Sequence, residues 1–276
     1  ASDSLYGIAA YKRLLILAAG SCFNLLLAFL LFVAIGLMGK NELAPVVGKV
    51  ETNMPAEIAG LRSGDEILSI NGQKIQTWEA LSQTIAKSKG ELEIVFLRDS
   101  KEYQTILIPK IGESKNLFGE KIARPLIGIF SSGEVRLVSY SFVDSISYAF
   151  GQTLESSKLI LQSIEKMLSG VVPLSEVGGV VSIVSITKKA SELGIVTLFA
   201  FTALISVNLG ILNLLPIPAL DGGHILFTFY EMLTKRIPTQ NTFYRLSMAG
   251  WIVLLGLMGL GLYNDILRIL NGTMPF

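Results

Sequence analysis

The chain has 276 residues, of which 51% are hydrophobic and only 16% charged, and its mean hydropathy is +0.56. This apolar content exceeds what a soluble globular core needs and predicts a membrane protein. The 23 Lys and Arg residues against 22 Asp and Glu leave a net charge of +1, which argues against the basic surface that nucleic-acid binding requires. The sequence has one cysteine and one histidine, so it can form neither an internal disulfide nor a site with two histidine ligands.

Three stretches without charged residues predict membrane spans. The first covers residues 14–38 and, at about 1.5 Å per residue, is long enough to cross a hydrocarbon core of roughly 30 Å. The second and third cover residues 193–220 and 246–264. The predicted fold is therefore a membrane α-helical bundle with three spans in this chain.

The positions of lysine and arginine beside the spans predict the orientation. Lys12 and Arg13 precede the first span, and Lys235, Arg236 and Arg245 lie between the second and the third. Because such residues favour the cytoplasmic side, residues 41–192 should lie outside the cytoplasm.

Residues 44–111 have the pattern of a compact β-rich module. The predicted elements are a strand at 44–50, a hairpin turn at Asn71-Gly72, a helix from an N-cap at Thr77 to Gly90, and a hairpin of 92–98 with 103–109 around Asp99-Ser100. Leu81 and Ile85 should form an apolar pair on the buried face of that helix.

The string AGLRSGDEILSINGQKI at 59–75, followed by a helix at Trp78, resembles a PDZ domain of the circularly permuted bacterial kind. An unrelated small β-domain is the alternative. A PDZ domain would bind peptide segments by β-augmentation, or would filter substrates by size. The predicted exposed edge strand consists of Val46, Val47, Gly48, Lys49 and Val50.

Residues 112–192 are predicted to be a linker followed by an interfacial amphipathic helix, because apolar residues recur at helical spacing among charged ones from 137 to 168. A helix packed on the PDZ module is the alternative. Residues 177–186, which contain Gly178-Gly179, fit either a short strand or a partial entry into the membrane.

The chemistry-bearing string is NLLPIPALDGGH at 213–224, near the end of the second span. Pro216 and Pro218 cannot both lie in an intact helix, so the segment 193–230 should contain a broken helix. A carboxylate beside such a break is costly in a membrane unless it pairs with a cation or a metal. Asp221 is therefore a candidate functional residue, and Gly222 and Gly223 allow a backbone, a ligand or a metal to approach closely.

The pattern NxxPxPxLDG at 213–222 resembles the signature of the site-2 protease family of intramembrane zinc metalloproteases. Residues 19–24 are similar to the small-residue pattern of the family's second core helix, although Ser21 replaces the usual proline. The PDZ module and the closing sequence at 259–265 are similar to the bacterial envelope-stress branch, the RseP type.

This resemblance implies a multi-pass protein of the bacterial cytoplasmic membrane that cleaves transmembrane segments of single-pass proteins with Zn²⁺. It implies that Asp221 is a zinc ligand, that Asn213 holds the substrate or the oxyanion, and that His224 supports the site without binding the metal. The alternatives are an N-cap role for Asp221 and an interhelical hydrogen bond for Asn213. Cys22 and Asn24 are interpreted as packing and interhelical residues.

The family's HExxH helix, which supplies two histidine ligands and a general base, does not occur in residues 1–276. We expect it upstream of Ala1 or on a separate chain, and we expect this chain alone to be inactive and to bind zinc weakly. A non-catalytic, membrane-anchored PDZ peptide-binding protein is the second hypothesis. A small transporter is a weaker third, since the spans show no internal repeat.

The predicted organisation has five segments. They are the first span with its cytoplasmic lead-in at 1–43, the PDZ domain at 44–111, the linker and amphipathic helix at 112–192, the broken transmembrane helix at 193–230, and a cytoplasmic loop with the third span at 231–276. The predicted partners are single-pass substrates, peptide segments, an HExxH segment and the lipid bilayer, with no nucleic acid.

Overall fold

The computed structural model describes residues 9–235 and 240–274. Two compact units divide the chain: a helical unit of residues 1–38 and 140–276, and a β-rich unit of residues 39–139. The helices are α1 (Ala10–Met38), α2 (Pro55–Ile58), α3 (Trp78–Ala86), α4 (Phe142–Leu168), α5 (Val180–Glu192), α6 (Ile195–Leu214), α7 (Asp221–Thr234) and α8 (Gln240–Leu270). The strands are β1 (Lys40–Leu43), β2 (Val47–Val50), β3 (Glu66–Ile70), β4 (Gln73–Lys74), β5 (Leu92–Arg98), β6 (Lys101–Leu107), β7 (Lys110–Lys115), β8 (Lys121–Leu126), β9 (Ile129–Ser131) and β10 (Val135–Val138).

The three predicted spans are confirmed as helices of membrane-crossing length and composition. They are α1, α6 and the segment Tyr244–Leu270 of α8. The orientation prediction rests in part on Arg236, which lies outside the described residues.

In the helical unit, α1 packs on α4 and α6. Ser206 Oγ of α6 donates a hydrogen bond to the carbonyl oxygen of Asn24 at 3.0 Å. The buried core of this contact is apolar and consists of Ala28, Phe32, Ile35, Ala149, Ala203 and Val207. Interhelical bonding at Asn24 was predicted and does occur, through its backbone.

Helix α4 begins at an N-cap, Ser141, whose side chain accepts a hydrogen bond from Asp144 N. Its inner face, at Ala149, packs on the membrane helices, whereas Phe142 and Phe150 are exposed on the outer face. The helix thus belongs to the helical unit, which argues against the alternative of a helix that forms part of the PDZ module. Its position at the membrane interface stays a prediction.

The β-rich unit confirms the local turn and cap predictions. The hairpin turns at Asn71-Gly72 and Asp99-Ser100 have positive φ at both central residues, and they join β3 to β4 and β5 to β6. Thr77 Oγ1 accepts a hydrogen bond from Ala80 N at 3.1 Å, as an N-cap does. The helix ends at Ala86, before the predicted Gly90, because Ser88 N and Ser88 Oγ both donate to the carbonyl of Ile85 and close the last turn.

A four-stranded sheet of order β4-β3-β5-β6 packs against α3 through Leu81 and Ile85, which are both buried as predicted. Asp65 is fully buried beside this sheet and accepts two hydrogen bonds from Arg98, each of 2.7 Å. The hydrogen bond to Asp65 raises the pKa of Arg98, and the pair joins the start of β3 to the end of β5.

The prediction of an exposed edge strand at Val46, Val47, Gly48, Lys49 and Val50 is wrong. β2 pairs with β9 on one side, and on the other side Val47 N donates to the carbonyl of Asp65 at 2.8 Å. Val47 is fully buried, and a Cβ on Gly48 would lie 2.5 Å from the carbonyl oxygen of Ser131. The strand is therefore covered by a partner from the region that was predicted to be a linker.

The β-rich unit also extends beyond the predicted boundary at 111, since β7 to β10 all follow it. These strands escaped the sequence analysis because β7 and β8 carry charged residues and are half-buried at most, so apolar and polar residues do not alternate along them. Residues 177–186 do not form the short strand that was considered, because α5 begins at Val180.

Candidate active site

The predicted helix break is confirmed between Leu214, where α6 ends, and Asp221, where α7 begins. The intervening chain forms a tight coil in which Ile217 N donates to the carbonyl of Leu215 at 2.7 Å and Leu220 N donates to the carbonyl of Ile217 at 2.8 Å. The two prolines have no N–H to donate, so the coil leaves carbonyl groups turned away from a helical ladder. These groups need other partners in the membrane.

The two glycines after Asp221 allow the first turn of α7 to press against this coil. A Cβ on Gly222 would lie 2.5 Å from the carbonyl carbon of Leu214 and closer still to the oxygen of Leu215. A Cβ on Gly223 would lie 2.5 Å from Pro218 Cα. The close approach proposed from sequence is therefore one of backbone against backbone.

Helix α7 runs antiparallel to α1. Arg13 near the start of α1 pairs with Glu231 near the end of α7 at 2.6 Å, and a Cβ on Gly20 would lie 3.8 Å from Asp221 Oδ2. Gly20 follows Arg13 by about two helical turns, which places Asp221 about 10 Å along α1 from the ion pair. Asp221 thus lies within the length of the first span, away from its charged end.

In the sequence, Arg13 served only to predict the orientation of the first span. Its side chain is only 5% exposed, because Glu231 folds against it. The sequence gave no signal of this pairing, because Glu231 lies on the helix after the break, far from Arg13 in the chain.

The Asp221 carboxylate is half-buried and is not used by the local fold. Leu220 is the N-cap of α7, and Asp221 is the first helical residue. Within residues 9–235 and 240–274 its carboxylate makes no hydrogen bond and no ion pair. The N-cap alternative is therefore not formed, and both oxygens are available to a cation.

Asn213 lies half-buried in the last turn of α6, before the break. Its side-chain amide makes no hydrogen bond with any residue of the described chain, so the interhelical bond considered as an alternative is not formed. An amide that can donate and accept is thus available near the break, on the same segment as Asp221.

His224 and Cys22 are placed differently from Asp221. His224 is half-buried one turn along α7, and its carbonyl accepts a hydrogen bond from Thr228 Oγ1 at 2.8 Å. Cys22 is exposed on α1, about 200° around the helix from Gly20. Cys22 therefore does not serve the packing role predicted for it, and it does not face the side of α1 on which Asp221 lies.

The donor set fits one ligand of a catalytic zinc. Among the residues that the structure describes, no three His, Cys, Asp or Glu side chains are grouped to hold a metal. Among the described residues around the break, Asp221 offers a half-buried carboxylate that makes no hydrogen bond and no ion pair. A catalytic zinc normally takes three protein ligands, and Asp221 has the chemistry of one of them.

Two residues of α8 complete the surroundings of the break. Ser247 Oγ donates to the carbonyl of Pro218 at 3.3 Å, and a Cβ on Gly250 would lie 2.8 Å from Ala219 N. The sequence analysis gave neither a role. The available signal was their spacing of i, i+3, since small residues mark close helix contacts in membranes.

The β-rich unit holds a separate groove of about 410 Å³ between α3 and residues 124–131. Trp78, Leu81, Ser82 and Ile85 line one side of it. On the other side lies Arg124, whose Nε is buried without a hydrogen-bond partner in the described structure. This groove differs from the strand predicted to bind peptide.

Comparison with known proteins decides the family. The model of peptidase family M50 matches residues 2–257. The chain belongs to peptidase family M50, the site-2 protease family. The M50 match includes both the break with Asp221 and the β-rich unit.

Several bacterial relatives align with nearly the whole M50 chain. "Putative zinc metalloprotease Cj1068" of Campylobacter jejuni is 44% identical over 269 residues, which are 98% of this chain and 73% of the relative. "Putative zinc metalloprotease" of Helicobacter pylori is 37% identical over 98% of this chain and 77% of its own length. "Regulator of sigma-W protease RasP" of Bacillus subtilis is 32% identical over 94% of this chain and 60% of its own length. The family and the three apolar helices identify the chain as a bacterial membrane protein of a metalloprotease family.

Two solved structures also align with part of the M50 chain. The PDZ domain of the SdrC-like protein from Listeria monocytogenes has a TM-score of 0.24 and 24% identity, and it covers 31% of this chain and 84% of its own. The protein GtR34C from Geobacillus thermodenitrificans has a TM-score of 0.22 and 33% identity, over 25% and 80%. TM-scores this low add nothing to the description of the fold.

Proposed function

We propose that this chain carries part of the active site of an intramembrane zinc endopeptidase that cleaves transmembrane segments of single-pass membrane proteins. The observation that carries the proposal is the Asp221 carboxylate, which lies after the helix break, beside Gly20 of the first span, and makes no hydrogen bond or ion pair in the described chain. An intramembrane carboxylate left in this state is costly unless a cation compensates it. The zinc metalloprotease relatives supply the identity of that cation.

In this proposal Asp221 holds the zinc through a carboxylate oxygen. When bound, zinc polarises the scissile carbonyl and lowers the pKa of a water molecule. Asn213 positions the backbone of the substrate or donates to the developing oxyanion, because its amide is free of other bonds near the break. His224 supports α7 one turn beyond Asp221.

The remaining zinc ligands and the general base come from outside residues 1–276 in this proposal, because this sequence has one histidine and no HExxH motif. An HExxH segment would bring two histidines and a glutamate to the side of Asp221.

The test replaces Asp221 by asparagine in the complete membrane protein. Asn is nearly isosteric but is a far poorer zinc ligand, so cleavage of a single-pass model substrate and stoichiometric zinc should both be lost while membrane insertion stays unchanged. Asp99→Asn, in a hairpin turn of the β-rich unit, is the matched control and should cleave normally. Wild-type cleavage with one zinc per molecule in the Asp221 variant would refute the ligand role.

A second function, peptide binding, is favoured by the groove beside α3. We propose that the β-rich unit is a PDZ domain and that an extended segment lies between α3 and residues 124–131, in place of the covered strand β2. Ser82→Arg should fill the groove and abolish capture of hexapeptides from a random phage library. Gly90→Arg, at an exposed position outside the lining where a Cβ would meet no atom within 4 Å, should not. Equal capture by both variants would contradict peptide binding in this groove and would favour the size-filter role. The unit lies outside the cytoplasm in this proposal, and the protein resides in the bacterial inner membrane.

A further inference from the structure

A buried carboxylate on α8 holds the start of α5, far from Asp221. Asp265 is fully buried and accepts hydrogen bonds from Gly179 N at 3.0 Å, Val181 N at 2.9 Å and Ser182 N at 3.1 Å, and another from Ser182 Oγ. The first N–H groups of a helix lack partners within the helix. Asp265 therefore caps α5 from a residue more than eighty positions away in the chain.

Its neighbours on α8 extend the same contact. Asn264 Nδ2 donates to the carbonyls of Leu174 and Val177, both at 2.9 Å, and Arg268 donates to Ser182 Oγ at 3.2 Å. We call this set of contacts between Asn264, Asp265 and Arg268 and residues 174–182 the α8 latch.

Glycines bring the two backbones of the latch together. A Cβ on Gly179 would lie 2.6 Å from Asp265 Oδ2 and 2.7 Å from the carbonyl oxygen of Gly261. A Cβ on Gly261 would lie 3.0 Å from the carbonyl oxygen of Gly178. The Gly178-Gly179 pair and the closing sequence at 259–265, both singled out in the sequence, thus form a single contact.

The opposite half of α8 touches the helix break. Ser247 and Gly250 contact Pro218 and Ala219, about 22 to 27 Å along the axis from Asp265. Between these two contacts, from 251 to 259, every residue except Leu254 is exposed. In the described structure α8 is therefore packed at these two contacts and little between them, so few other contacts fix its position at the break.

We propose that Asp265 is a positioning residue for peptide cleavage: the α8 latch fixes α8, and α8 in turn holds the Pro218-Ala219 coil that precedes Asp221. This inference rests on the proposed function. It predicts that a change at Asp265 acts on catalysis through the contact of Ser247 with Pro218.

The test is a double-mutant cycle in the complete protein, with kcat and KM measured for a single-pass model substrate and zinc content measured alongside. Asp265→Asn places an amide N–H₂ against a cluster of donors and should lower kcat roughly 2- to 30-fold with full zinc content. Ser247→Ala should lower kcat in the native background, and it should do so at least about threefold less when the latch is already broken. Gly256→Ala, whose added Cβ would meet no atom within 4 Å, is the control on the same helix and should cleave normally.

Fold-changes that multiply to within about twofold would show two independent residues and overturn the proposal. If Asp265→Asn does not fold, Ser182→Ala removes two side-chain hydrogen bonds of the latch, the one to Asp265 and the one from Arg268, keeps the backbone ones, and enters the same cycle. An active wild type that is inactivated by Asp221→Asn but shows an additive cycle refutes this inference alone. A wild type without peptidase activity refutes the proposed function instead.

Discussion

Replacement of Gly222 by alanine tests whether the close packing of α7 on the helix break sets the activity. The added Cβ would lie 2.5 Å from the carbonyl carbon of Leu214, whereas carbon atoms in contact prefer about 3.5 to 4.0 Å. The first turn of α7 must therefore move by roughly 1 Å, and Asp221 is the residue that moves with it.

A displacement of this size at a reacting centre costs about 100-fold in rate, and overpacking of this kind destabilises by about 1–3 kcal/mol. We expect kcat/KM for a single-pass substrate to fall by about 100-fold in the complete protein, with a smaller loss of thermal stability in detergent. The effect should be strong for a single methyl group because the neighbours are backbone atoms, which cannot rotate away.

Gly256→Ala is the matched control, since its Cβ would lie in open space on α8 and alanine favours a helix by about 1 kcal/mol over glycine. Cleavage by Gly222→Ala within about twofold of the wild type would refute the reasoning, because it would mean that the break tolerates movement without loss of the site.

Two further predictions concern the membrane unit and its orientation. Glu231→Gln should destabilise the protein by about 1.5–3 kcal/mol, because it removes the charged acceptor of the 2.6 Å hydrogen bond from the 5%-exposed side chain of Arg13; denaturant unfolding of the membrane protein measures this, and a loss below about 1 kcal/mol would show that solvent screens the pair. A cysteine at the exposed Lys89, in a Cys22→Ser background, should react with an impermeant maleimide in whole cells; labelling only after lysis would reverse the predicted orientation.

The sequence by itself determined the features that depend on local chemistry. Hydropathy and length set the three membrane helices, and the prolines at 216 and 218 set the break before Asp221. Thr77 correctly indicated the start of α3, and Asp99-Ser100 indicated the turn between β5 and β6. Both were predictable because the hydrogen bonds of a cap or a tight turn are made by atoms only a few residues away. The site motif was found for the same reason, since Asn213, Asp221 and the glycines lie in one short string.

Only the tertiary structure decided which distant segments meet. β9 covers β2 and removes the predicted binding edge, Glu231 neutralises Arg13, and Asp265 caps α5. No local sequence pattern predicts these contacts, because each joins elements far apart in the chain. The charged strands β7 and β8 also lack the alternation of apolar and polar residues that marks a half-buried strand. The candidate cation-binding residue could thus be identified from the sequence. The packing that holds it in place could not, because it depends on which backbone segments approach each other closely, and the whole fold decides that.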